Sequence, residues 1–398
     1  MATLSVQALP LPPSANPAFF SSFGREVKGV DLDVASDDQL EQIQKLLYEH
    51  SCLLFKNQKV SPESQYKLTK VFDPESDRYG HGNNKTGGEK KSILHPDLKT
   101  IPRQPQVQVI GNGTVYDHEG LPEARLKHPH HKTFHKTAVS PEDEEAGVTR
   151  FYRWHIDAAL YDLSPPKVTT LYALQVPKGE QQTLRYDDGT GDELKVPLGT
   201  TAFVSGHNMF EVLSEEEKSL AVRLGVEYAP HPYVWMSSAH ALPTGLGLES
   251  EGLELDLNDL PPWSQDKIKI FPALWKNPVT SNLHLQIHPS AIRALHIAPL
   301  PSTAKRTPES LFPDGATITS LPEVRSVVYR LQRQGIRPEL VYTQDWEDGD
   351  MVLFHNRGVL HSVVGAFTED QVRVFHQCNL AGTSDPEGPS EEDIKKWA

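Results

Sequence analysis

Within RFYRWHIDAALYDL, residues 150–163, His155 and Asp157 stand two apart among aromatic and apolar neighbours. Residues i and i+2 of an extended chain share a face, so both side chains can reach one metal ion. A third donor, His361, lies far downstream in DGDMVLFHNRGVLHSV, just past an expected strand and turn. Two imidazoles and one carboxylate with open positions beside them form the donor set of non-haem Fe(II) oxygenases. The open positions let a co-substrate and O2 meet on the same ion. A bare His-x-Asp means little in a chain with 18 histidines and, taken by itself, reads as a surface dyad. Arg373, twelve positions after His361, changes the balance. It opens an expected strand with Arg373, Phe375, Gln377 and Asn379 on one face and Val374, His376, Cys378 and Leu380 on the other. An arginine and two amides beside a metal site read as the wall of a polar cavity.

These residues need a scaffold, and the 398-residue chain is long enough for one large catalytic domain or two ordinary ones. Apolar residues make up 37% and charged residues 23%, enough for a packed core and unlike a disordered chain. The net charge of −14 argues against nucleic acid and anionic membranes as partners. It leaves room for a small anionic substrate at a local basic site. Cys52 and Cys378, both in apolar runs, read as buried free thiols. With a poor signal-peptide pattern and no apolar run near the length of a bilayer span, the chain is expected to be cytoplasmic. The sequons at Asn84 and Asn112 then carry little weight.

Residues 1–16 read as a flexible arm. DDQLEQIQKLLYEH predicts a helix with Leu40, Ile43, Leu46 and Leu47 as its apolar stripe and Asp37 or Asp38 as its cap. SCLLFKN predicts a buried strand, and SPESQYKLTKVF a helix capped by Ser61 with Pro62 at its first position. Two excursions, at about 73–149 and 229–345, interrupt a single domain spanning 17–382, and 383–398 is a tail. Excursions of such length are often lids or binding loops. RFYRWHIDAAL, KVTTLYALQV, QTLRYDD, TTAFVSG, DMVLFHN and RVFHQCNL read as short strands, with a hairpin turn in YDDGTGDEL. Helical pieces are expected at SAIRALHI and LPEVRSVVYRLQRQ. The fold class is mainly β with α decoration, around a double-stranded β-helix (jelly-roll) core.

The His-x-Asp…His…Arg order, with FGREVKGVDL and LLYEHSCLLFKNQKVSPES near the start, resembles the Fe(II)- and 2-oxoglutarate-dependent dioxygenases of the taurine dioxygenase superfamily. RFYRWHIDAALY, RYDDGTGDELKVPLGTTAFVSG, MVLFHNRGVLHSVVGAF and FHQCNLA are most similar to the fungal xanthine dioxygenases within it. The resemblance implies Fe(II) on His155, Asp157 and His361, and 2-oxoglutarate chelating that iron. It implies Arg373 and Thr183 as the clamp on the far carboxylate of 2-oxoglutarate, although GEQQTLRYDD departs from the Gly-Asp-Thr more common there. An arginine offers a carboxylate two parallel donors, which lysine does not. The implied reaction couples decarboxylation of 2-oxoglutarate to succinate and CO2, using O2, to hydroxylation of xanthine at C8 to urate, a step of purine catabolism. Gln377 and Asn379 are substrate candidates on the Arg373 face, with Lys127, Asp143, Glu144, Gln106 and Gln108 in the first excursion. Phe375 reads equally as packing beside the substrate ring or as core.

Two other readings remain open from sequence: the same chemistry on another heteroaromatic or a sulfonate, and a jelly-roll binding protein without catalysis. LKHPHHKTFHK, with His128, His130, His131 and His135, lacks partners at zinc-site spacing and reads as a loop exposed to solvent or lying over the cleft. Arg357 reads as a brace for the metal motif or a plain salt bridge, and Arg153 as half of a salt bridge near the mouth.

Overall fold

Two sheets of different size face each other, and the apolar alternation of their strands fills the gap between them. The computed structural model describes residues 4–81, 99–249, 252–364, 367–368 and 370–398, so Asn84 lies outside the described residues. The larger sheet has nine strands. At its centre Met351–Phe354, Thr169–Gln175 and Arg373–Asn379 pair antiparallel, followed by Val107–His118. The smaller sheet is Tyr342–Thr343, Thr201–Ser205 and Val359–Val363. Leu171, Ala173, Val352, Phe354 and Phe375 from the first meet Phe203, Tyr342 and Val359 from the second in one buried cluster. This is the sheet-on-sheet core of a jelly roll. The other face of the Arg373 strand, Val374 and Cys378, packs with Val107, Val109 and Leu126. Both cysteines are buried and free.

The helix over Asp37–His50 buries Leu40, Ile43 and Leu47 against Leu53 and Phe55 of the adjoining strand Cys52–Phe55. Its cap is Ser36, which forms a reciprocal pair with Gln39, so the aspartates that follow occupy the first turn. Pro62–Lys70 is capped by Ser61 as expected. Leu321–Arg333 is helical. SAIRALHI is not. Ile292–Ile297 is a strand pairing with Leu224–Tyr228, because its apolar residues bury equally well at strand spacing when a neighbouring sheet edge is available. RFYRWHIDAAL also departs from expectation. It is extended but joins its neighbours only through isolated bridges, Phe151 to Val364 and His155 to His361. Leu160 and Asp162 take left-handed backbone angles that end the extended run.

Residues 4–16 are not a loose arm. Ser5–Ala8 forms the outermost strand of the large sheet against Arg25–Lys28, with Leu4 and Leu9 buried on either side. Leu9 lies against Gly24, whose φ of +78° and lack of a Cβ permit the approach. Asn16 donates its N–H to the Glu339 carbonyl, tying the segment down further. The tail is also structured. Ser390 caps a helix over Glu391–Trp397, and Trp397 meets Phe210 edge-on at 5.3 Å.

Candidate active site

The extended run at 150–157 lies alongside Val359–Val363, the outer strand of the smaller sheet. His155 and His361 exchange backbone hydrogen bonds of 2.9 and 3.1 Å, which locks the two imidazoles side by side. Their ring centroids are 4.1 Å apart. Each Nε2 lies 3.8 Å from Oδ1 of Asp157. Among the described residues this is the one cluster of three metal-ligating side chains whose donor atoms all fall within 4.8 Å of each other.

Each donor is oriented from behind. His155 Nδ1 meets the Arg153 carbonyl at 3.0 Å, which turns Nε2 towards Asp157. Thr169 donates to Asp157 Oδ2 at 2.8 Å and Gln377 to the same oxygen at 3.3 Å, leaving Oδ1 to face the imidazoles. Asn356, fully buried, accepts from the Asp157 N–H and donates to the carbonyls of Asp157 and Pro166. His361 packs against the rings of Phe203 and Phe354, one from each sheet, which also meet each other. Burial holds both imidazoles below their ordinary range, so they stay neutral. Burial pushes the Asp157 carboxyl up, but the surrounding imidazoles of His361, His81 and His155 outweigh it and hold the group well below the carboxylate range. Two neutral nitrogens and one carboxylate are the protonation states that a divalent cation requires.

A cavity of about 150 Å³ opens beside the triad. Arg373 lines it, 2% exposed, with its guanidinium 3.7 Å from the centre of the Phe375 ring. Nε donates to the Gly199 carbonyl at 3.2 Å and an Nη reaches the Thr201 hydroxyl at 3.4 Å. Burial pushes this guanidinium down to about 9, still charged at neutral pH. Phe375 is therefore the floor under Arg373 and part of the core. The threonine of this arrangement is Thr201, and Thr183 is elsewhere. Thr183 lies on Gln182–Arg185, paired with Glu193–Val196, where its hydroxyl accepts from Lys195.

This chain matches the model of the taurine catabolism dioxygenase TauD, TfdA family over residues 7–379. The chain belongs to that family. Alpha-ketoglutarate-dependent xanthine dioxygenase xan1 of Schizosaccharomyces pombe is 54% identical over 98% of this chain and 91% of its own length. Alpha-ketoglutarate-dependent xanthine dioxygenase xan-1 of Neurospora crassa is 55% identical over 93% and 86%. A more distant relative, alpha-ketoglutarate-dependent dioxygenase bsc9 of Alternaria brassicicola, is 31% identical over 93% and 92%. A solved taurine dioxygenase from Burkholderia xenovorans, 16% identical, shares the fold with a TM-score of 0.54 over 97% of this chain and 92% of that one.

Of the substrate candidates, Lys127 and Gln377 line the cavity of this family member. Gln377 also spends its amide on Asp157. Asn379 is fully buried behind the Tyr79–His81 turn, with neither amide atom hydrogen-bonded. The other four are placed off the cavity wall. Asp143 pairs with Arg185 at 2.8 Å and Glu144 with Lys132. Gln106 donates to the Asp77 carbonyl, and Gln108 bridges Thr100 and the Pro105 carbonyl. The excursion turns back on itself as a hairpin, Val107–His118 with Leu121–Leu126, and the residues just after it join Val109–Gly111 on the cavity wall. There His128 and Pro129 line the cavity, and His128 meets Phe367 edge-on. His131 and His135 are buried and burial pushes them down to about 3 and 4. Arg357 braces backbone carbonyls of Pro165 and Ser384 and makes no salt bridge among the described residues.

Sequence reasoning missed Tyr79, His81, Thr201, Tyr152 and Tyr233 on the cavity wall. His81 Nε2 comes within 3.6 Å of Asp157 Oδ1. Its position follows from Gly80, where a Cβ would lie 2.4 Å from Asn379 Oδ1. YGHG in the sequence was the available signal, a close approach of backbone marked by glycine.

Proposed function

We propose that this chain is a 2-oxoglutarate-dependent dioxygenase that uses Fe(II) and O2 to hydroxylate xanthine at C8, giving urate, succinate and CO2. The observation that carries the reading is one cavity holding both the His155, Asp157, His361 triad and the Arg373–Thr201 pair. The 54% identity to relatives named xanthine dioxygenases, across nearly the whole chain, supports the substrate.

The donor set suits Fe(II): neutral imidazoles, an ionised carboxylate, and a cavity beside them for further ligands. When bound, Fe(II) supplies the activation of O2 and the oxidation of a substrate carbon. The protein's own part is placement. Arg373, with Thr201, receives the far carboxylate of 2-oxoglutarate and sets its reach to the triad. Thr169 and Gln377 hold Asp157, and Asn356 holds its backbone, so the ligand geometry survives turnover. Tyr79, Tyr152 and Tyr233 narrow the cavity and exclude water around the reacting carbon. Lys127 is exposed at the cavity wall and serves as a polar contact for the substrate.

Purified protein given Fe(II), 2-oxoglutarate, O2 and xanthine forms urate and succinate in equal amounts. Succinate without urate, with another heteroaromatic or a sulfonate restoring coupling, overturns the substrate and leaves the chemistry. Neither product from a protein that binds metal and 2-oxoglutarate overturns the enzyme itself. No helix of the described residues is long and apolar enough to cross a membrane.

A further inference from the structure

The cavity holds a second buried arginine with no assigned work. Arg153 is 6% exposed and lines the same cavity as the triad and Arg373. Its Nε and one Nη have no hydrogen-bond partner, and no carboxylate lies within ion-pair distance of it among the described residues. The salt bridge expected from sequence is absent. Three rings hold its guanidinium instead, with Cζ at 5.4 Å from the centre of Tyr233, 5.7 Å from Phe134 and 6.0 Å from Tyr152. These rings fix the plane of the fork and offer no acceptor atom of matching charge. A buried, unpaired cation is costly, by several kcal/mol in general, and such groups are kept where a ligand supplies the missing charge.

The charges already in the cavity narrow what that ligand is. Asp157 is the carboxylate on its wall, and it belongs to the metal. One end of 2-oxoglutarate goes to the metal and the other to Arg373, which has its own hydroxyl and carbonyl partners and its own aromatic floor. Among the described residues, co-substrate and metal thus account for every charged side chain on the cavity wall except Arg153 and the exposed Lys127.

We infer that Arg153 anchors the primary substrate, and that the substrate enters with an anionic edge carrying two adjacent acceptors. This rests on the proposed function. An oxopurine meets the requirement, because loss of a ring N–H proton leaves a ring nitrogen and an oxo group side by side, matched to two parallel guanidinium donors. Two of the rings around Arg153, Tyr152 and Tyr233, line the cavity for a flat heterocycle. Arg153 is thereby a specificity residue: a neutral ring lacking paired acceptors leaves the guanidinium buried and unmet.

The test is steady-state kinetics of the Fe(II)-loaded enzyme with xanthine and 2-oxoglutarate varied separately, for wild type, Arg153→Gln and Arg153→Lys. Arg153→Gln raises the KM for xanthine about a hundredfold while the KM for 2-oxoglutarate stays within about twofold. Arg153→Lys, which keeps the charge and loses the fork, falls between. Calorimetric binding of xanthine to enzyme loaded with Mn(II) and 2-oxoglutarate, without O2, weakens by the same factor. A rise in the KM for 2-oxoglutarate with that for xanthine unchanged assigns Arg153 to the co-substrate and overturns the inference. Unchanged KM values with a lowered melting temperature assign it to packing and also overturn it. If wild type makes no urate, the proposed function falls. Arg153 is then judged with the compound that does stimulate 2-oxoglutarate turnover: the same split in KM supports the anchor, and no split overturns it.

Discussion

Replacing Thr201 and Thr183 by valine separates two accounts of the co-substrate clamp. The family resemblance points to Thr183, and the structure puts Thr201 against Arg373 at 3.4 Å. A hydrogen bond from a neutral hydroxyl to a carboxylate contributes about 1.5–3 kcal/mol when buried, and each 1.4 kcal/mol is a factor of about ten. Thr201→Val is therefore expected to raise the KM for 2-oxoglutarate about tenfold to a hundredfold. Arg373→Ala, which leaves a carboxylate with no counter-charge, costs about 2–5 kcal/mol and raises it about thirtyfold to several-thousandfold. Thr183→Val removes only the partner of Lys195 in a small sheet away from the cavity and leaves this KM within about twofold. Thr201 Oγ1 also accepts from Trp346 Nε1 at 3.3 Å, so Thr201→Val loses about 1–3 kcal/mol of stability as well. Thr201→Ser keeps the oxygen and restores both quantities, which distinguishes clamp from fold. The assay is succinate formation against 2-oxoglutarate at saturating xanthine, with melting temperatures measured alongside. A tenfold rise for Thr183→Val with none for Thr201→Val would refute the placement.

Three further outcomes are expected. Asn356→Ala removes three hydrogen bonds around Asp157 in a fully buried setting; stability falls by about 2–4 kcal/mol in denaturant titration, and Fe(II) affinity by about tenfold or more. Gly80→Ala drives a methyl into Asn379 and Pro166, displaces Tyr79 and His81 from the cavity, and lowers kcat/KM for xanthine; unchanged kinetics would mean that the turn yields freely. Acid weakens the fold through histidines far from the metal. Burial pushes His131, His284 and His376 down to about 3 and His135 to about 4, so each folded pKa is depressed. The unfolded chain then binds more protons: stability is fully present above the unfolded value of 6.5 and is lost as pH falls towards 3–4. Each group contributes about 1.4 kcal/mol per pH unit in that window, and urea midpoints that do not move between pH 7.5 and 5 would contradict this.

The chemistry was more legible in the sequence than the geometry that serves it. His155, Asp157 and His361 were found because a metal demands particular side chains at particular offsets, whatever their surroundings. The faces of Arg373–Asn379 were found because side chains alternate on a strand. Thr183 and Thr201 are both threonines on short strands, and only the pairing of Thr201–Ser205 with Val359–Val363 decides which one meets Arg373. That pairing joins segments far apart in the chain and leaves no local mark. SAIRALHI has the same difficulty, since its apolar residues suit a helix until a sheet edge claims them. The N-terminal segment was read as a flexible arm, while the contact that seats it, Leu9 on Gly24, depends on an absent Cβ. Tyr79 and His81 reach the cavity through a backbone turn that composition does not announce.

The bridge between His155 and His361 has a consequence for biosynthesis. The ribosome releases the chain from its N-terminus, so His155 and Asp157 emerge long before their partners. Until His361 emerges there is no third donor, and until Arg373–Asn379 has emerged and docked there is no clamp and no completed large sheet. A chain terminated before His361 therefore lacks both the third donor and the clamp, and metal loading becomes a readout of translation carried past the final strand of the large sheet.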